Sequence, residues 1–171
     1  MFTVLEILII LLMPAMVTLM ASVYAWAPAR AKTLCLVSVL FMGMLALLTM
    51  SLHFVILSVS RHSALSGLTW LPLLVSFRWP SVAYALDILG WDLLFALSML
   101  FASAAFRGSG LTLWIRVLMI TSAVLSLASL SGVATGDMSL RNIGIVGYVP
   151  VFLGVTVLLG VVFHRTRPFE E

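Results

Sequence analysis

The sequence predicts an all-α integral membrane protein: a bundle of five transmembrane helices joined by short loops. Three observations carry that prediction. The first is composition: 63% of the 171 residues are hydrophobic and 9% are charged, with a mean hydropathy of +1.24. A soluble domain carries roughly 25% charged residues, because its surface must face water. The second is segmentation, since the apolar residues fall into five runs long enough to cross a ~30 Å hydrocarbon core. The third is economy. Five such spans and their turns use up the chain as a single transmembrane domain, residues 1–171, and leave no room for a soluble domain of ~50 residues.

The first run, residues 7–29, contains no charge until it ends, and Pro14 inside it predicts a kink. Ala25-Trp26-Ala27 has the small-x-small form of a signal-peptide cleavage site. However, no Lys or Arg precedes the run, and Glu6 stands where a signal peptide needs basic residues, so an uncleaved span is expected. The second run, residues 33–60, is interrupted only by His53 and ends at Arg61 and His62. Residues 63–77 are apolar and uncharged but too short to cross, and they contain Gly67, Trp70 and Pro72. That combination predicts an interfacial or re-entrant segment, with Arg78, Trp79 and Pro80 marking the interface.

The third run, residues 81–106, carries Asp87 and Asp92, and the turn Arg107-Gly108-Ser109-Gly110 follows it. The fourth, residues 111–134, has Arg116 one turn inside, where its long side chain can snorkel to the headgroups. A polar loop, Thr135 to Asn142, leads to the fifth run, residues 143–163. Gly144, Gly147 and Gly154 on the fifth run and Ser122 and Ser126 on the fourth form stripes of small residues, which let helix backbones approach closely in lipid.

Basic residues set the expected orientation. Arg30, Lys32, Arg107, Arg116, Arg165 and Arg167 fall on one side of the alternating spans, and Arg61, Arg78 and Arg141 on the other. The richer side is expected to be cytoplasmic, giving a multi-pass cell-membrane protein with its N-terminus outside and its C-terminus inside. In style the chain looks like a bacterial inner-membrane protein. The net charge of +3 and pI near 9.6 do not indicate nucleic acid, because the basic residues stand singly at the ends of apolar runs.

Several chemistries are excluded or disfavoured. A single cysteine, Cys35, cannot form an internal disulfide. His53, His62 and His164 are divided between the two sides, so no metal site is expected, and no nucleotide-binding or hydrolase motif occurs. The ten methionines are scattered, as packing filler would be. No cofactor is expected. Span count and length resemble those of the translocator protein family, but that family's Trp- and Pro-rich loop after the first helix is replaced here by Ala27-Pro28-Ala29-Arg30-Ala31-Lys32. No family is assigned on length alone.

An ionisable residue inside a span is costly and marks a candidate site. His53, Asp87 and Asp92 are the three in this chain. His53 and Asp87 lie about 10–12 Å below the same surface at ~1.5 Å per residue, so they are expected to meet. Tyr84, Asp87 and Trp91 share one stripe of the third helix, whereas Asp92 falls about 140° away from Asp87 at ~100° per residue. The two acids are therefore expected on different faces. With Arg141 at the same end, the candidate ligand-binding set is His53, Asp87, Trp91, Tyr84, Asp92 and Arg141, around a polar pocket opening outward. The leading functional expectation is a small multi-span protein that binds or passes a small apolar or weakly charged molecule. The alternatives are a structural or accessory subunit, whose polar residues only lock the bundle, and an enzyme using His53 as a base. Membrane lipids are the expected partners, with a homo-oligomer open.

Overall fold

The computed structural model describes residues 2–59, 62–65 and 67–165. Ser60 and Arg61, at the expected end of the second span, lie outside the described residues, as does Arg167. The chain is all-helical, with no strand among the described residues. Five helices are long and apolar enough to span a membrane: Thr3–Trp26, Ala29–Val59, Val82–Ala105, Leu111–Thr135 and Met138–Arg165. They are called the first to fifth helices below. This is a multi-pass bundle, and it starts earlier than the composition suggested, so that Glu6 lies inside the first helix.

The helices pack in sequence order, each against the next, and the third is the hub. In its most apolar stretch 61% of residues are buried, against 22–33% in the other four. Phe95, Ala96, Met99 and Ala102 on the third helix meet Met13, Met20, Met42, Met119 and Val155 from its neighbours in one core. The surface is the inverse of a soluble protein's. Leu11, Leu47, Trp114, Leu153 and Val157 are all at least 59% exposed, while Glu6, His53, Asp92, Arg141 and six serines of the second to fourth helices are buried. Lipid solvates the former group, and the latter must find partners inside.

Short hydroxyl bonds clip the helices together. Ser98 Oγ donates to the Ser38 carbonyl at 2.9 Å, joining third to second, and Ser122 Oγ donates to the Gly147 carbonyl at 2.8 Å, joining fourth to fifth. The expected small-residue stripes meet here. A Cβ on Gly144 would lie 2.7 Å from Ser129 Oγ, and one on Gly147 would lie 2.7 Å from the Ser122 carbonyl oxygen. Only glycine allows this approach.

Two helices contain a wide π turn. In the fifth it spans Gly147–Val151 and includes Pro150, whose missing N–H costs less where the α register is already broken. In the third it spans Leu89–Leu94, just after the helix start that Ser81 caps by accepting from the Tyr84 N–H at 3.1 Å. At the opposite end of the bundle, the Lys32 ammonium donates to the Tyr24 and Ala25 carbonyls at 2.9 Å each, closing the first helix. In the turn before the fifth helix, Asp137 accepts the Ser139 N–H at 3.0 Å, which holds its carboxyl below the usual carboxylate range.

The described part of residues 63–77 is irregular: a 3-10 turn, Ser63–Leu65, and a one-turn helix, Leu71–Val75. It does not span. It lies against the end of the second helix and the start of the third.

Candidate functional site

Five ionisable residues of the spans gather at one end of the bundle, the end that holds the starts of the first, third and fifth helices. Glu6 is one turn into the first helix, His53 is in the last two turns of the second, Asp87 and Asp92 are in the first half of the third, and Arg141 is at the start of the fifth. They form two clusters.

In the larger cluster one guanidinium holds two acids. Arg141 donates from a terminal nitrogen to Asp87 Oδ2 at 2.5 Å and from Nε to Asp92 Oδ2 at 3.3 Å. The Tyr84 ring lies against the same guanidinium, 4.5 Å from centroid to Cζ, where the negative ring face attracts the cation. Arg141 is 8% exposed and Asp92 fully buried. Trp91 packs on Tyr148 at 5.2 Å and on Phe95 at 6.0 Å, in an aromatic ladder between the third and fifth helices.

The smaller cluster is Glu6 and His53, whose Oε2 and Nδ1 form a short hydrogen bond with both residues buried. Phe77 from the interfacial segment lies against the His53 ring, with centroids 5.2 Å apart.

These contacts correct two expectations. His53 does not pair with Asp87: matching depth allowed the pair, but the first helix supplies Glu6 to the ring, and Arg141 takes Asp87. The two acids of the third helix do share a partner. Five residues put them about 140° apart on an α-helix, whereas in i→i+5 geometry residues five apart stack on one face. The π turn Leu89–Leu94 thus brings Asp92 round to the guanidinium that Asp87 binds. The cavity found at this end is a separate feature. Its volume is about 430 Å³, and none of His53, Tyr84, Asp87, Trp91, Asp92 or Arg141 lines it. Its wall is apolar: Leu52 and Val55 of the second helix, Leu71 and Leu74 of the interfacial segment, and Ala83 and Leu86 of the third helix.

Glu6 is the residue that reading the chain missed. The signal was present, because Phe2 to Leu5 are apolar apart from one threonine, so the first run continues through the acid and encloses it. Among the described residues no group of three or more His, Cys, Asp or Glu side chains is placed to hold a metal ion. The arrangement therefore offers two closed polar clusters and one open apolar groove. No family model matches the chain, and comparisons with curated proteins and with solved structures also find no match.

Proposed function

We propose that this protein binds a membrane lipid by its hydrocarbon chain in the apolar groove between the second and third helices, and that its buried polar clusters hold the bundle in the shape that forms the groove. The cavity carries this reading. Its volume of about 430 Å³ lies in the range of small-molecule sites, ~300–1,000 Å³, and its wall offers a polar molecule almost nothing to bond. Trp70, Leu74, Val55 and Val82 on the wall are 41–51% exposed, so the groove opens sideways, where lipid tails lie. Arg78 and Trp79, both exposed, follow the roof segment and suit a headgroup level. The Glu6–His53 pair supports the roof through Phe77. The reading of His53 as a catalytic base oriented by Asp87 loses its geometry and is set aside.

Ala83 is 1% exposed and lines the groove, so Ala83→Leu fills it from the rigid side. In the purified full-length protein, retention of a brominated-chain phospholipid is expected to fall about tenfold in this variant, equivalent to ~1.4 kcal/mol. Tryptophan quenching by the bromines reads the binding, and Trp70→Phe should remove part of it. Unchanged retention in Ala83→Leu would sink the groove as a ligand site. It would favour the second reading, a structural subunit, which the closed state of both polar clusters supports.

The orientation we infer places this polar end outside the cytoplasm, following the excess of Lys and Arg at the other end. A reporter active only in the cytoplasm should work when fused after Glu171 and stay silent when inserted at Gly136, an exposed turn residue with φ +77°. The reverse pattern would invert the assignment.

A further inference from the structure

The Arg141 cluster is one positive charge short. With all groups ionised, Asp87 and Asp92 contribute two negative charges against one guanidinium, in a site where Asp92 and Arg141 are buried and Asp87 is largely so. The shortfall has a location. Asp92 Oδ2 receives Arg141 Nε, but Asp92 Oδ1 has no hydrogen-bond partner, and neither has Ser126 Oγ, although both residues are 0% exposed. Ser129 lies beside Asp92 across Gly144: a Cβ there would be 3.0 Å from Asp92 Oδ1 and 2.7 Å from Ser129 Oγ. Ser129 Oγ also lies 2.5 Å from the Ser126 carbonyl oxygen. The Ser129 hydroxyl has one hydrogen, which serves either the Ser126 carbonyl or the Asp92 carboxylate and brings no net charge, so the excess negative charge of the cluster stays. Unbalanced charge in a lipid-embedded bundle is costly, and an added positive charge removes the cost.

We propose that Asp92 Oδ1 and Ser129 Oγ take up one monovalent cation, a proton or Na⁺. Both ligands are oxygens, which suit these hard cations and not soft transition metals. The bound charge neutralises the cluster and ties the third, fourth and fifth helices together. The site is separate from the apolar groove. The ionisable groups facing it are Asp87 and Tyr84 of the third helix and Arg141 and Tyr148 of the fifth; Ser126 and Ser129 are the polar groups of the fourth. The Glu6–His53 pair of the first and second helices is the other buried polar cluster at this end, and Glu6→Gln is its control.

A ligand that binds only the folded state raises the unfolding midpoint in proportion to its occupancy. The test follows that midpoint for the full-length protein in detergent, with Na⁺ exchanged for choline at constant ionic strength, at mildly acidic and at alkaline pH. If the cation is Na⁺, the midpoint rises with Na⁺ at alkaline pH, and Ser129→Ala raises the half-maximal Na⁺ concentration about tenfold. If it is a proton, the midpoint falls as pH rises, because the folded state holds a proton that the unfolded state releases, and Na⁺ has no effect. In either case Asp92→Asn abolishes the response, its amide supplying the missing donor to Ser129, while Glu6→Gln leaves the response in place. Should Asp92→Asn fail to fold, Ser129→Ala carries the same comparison and must shift the response. A wild-type midpoint indifferent to both Na⁺ and pH overturns the proposal, and so does a response that survives in Asp92→Asn or is unchanged in Ser129→Ala.

Discussion

Arg141→Ala is expected to cost about 3–5 kcal/mol of stability, because it leaves two carboxyl groups at a buried site with no cation. Equilibrium unfolding in detergent measures the loss. Arg141→Lys should recover little, since an ammonium lacks the planar fork that meets Asp87 and Asp92 from two different nitrogens. Replacing the whole cluster, as Arg141→Met with Asp87→Leu and Asp92→Leu, should cost less than Arg141→Ala alone, since no unpaired charge remains. A stable Arg141→Ala protein would show that the guanidinium does not hold these helices.

The second large effect belongs to Glu6 and His53. Removing either leaves the other buried without its partner, at a cost of about 1–3 kcal/mol, more where the survivor is charged. The double variant Glu6→Ala/His53→Ala should lose less than the two single losses added together, with a coupling of about 0.5–3 kcal/mol. Asp87→Ala combined with His53→Ala should be additive to within about 0.5 kcal/mol, since no hydrogen bond or ion pair joins them. Coupling of His53 to Asp87 and not to Glu6 would reverse the pairing. Both results bear on the groove, because Phe77 connects the His53 ring to its roof.

The two clusters also explain why so polar an end can sit inside lipid. Each buried ionisable residue spends its charge on a neighbouring helix, and the hydroxyls between them spend theirs on backbone carbonyls. The exceptions are Asp92 Oδ1 and Ser126 Oγ, and they adjoin the closest approach of the fourth and fifth helices. A site in this bundle is therefore found through what is left unbonded, and not through the number of acids.

By itself the sequence determined the class, the number of spans and the end at which polar chemistry gathers. Hydropathy and charge spacing are local properties, and lipid enforces them one span at a time. The glycine and serine stripes of the fourth and fifth helices were legible too, but packing decided that they meet each other. Partner choice was decided only by the tertiary structure. The depth of His53 was legible, but which helix would come to meet it depends on packing across the bundle, and Glu6 was hidden by an apolar run taken to begin after it. The meeting of Asp87 and Asp92 at Arg141 depends on a single wide turn at Leu89–Leu94. That turn breaks the 3.6-residue period on which reading faces from a sequence relies. The groove, likewise, exists only where three segments distant in sequence enclose it, so no local pattern announced it.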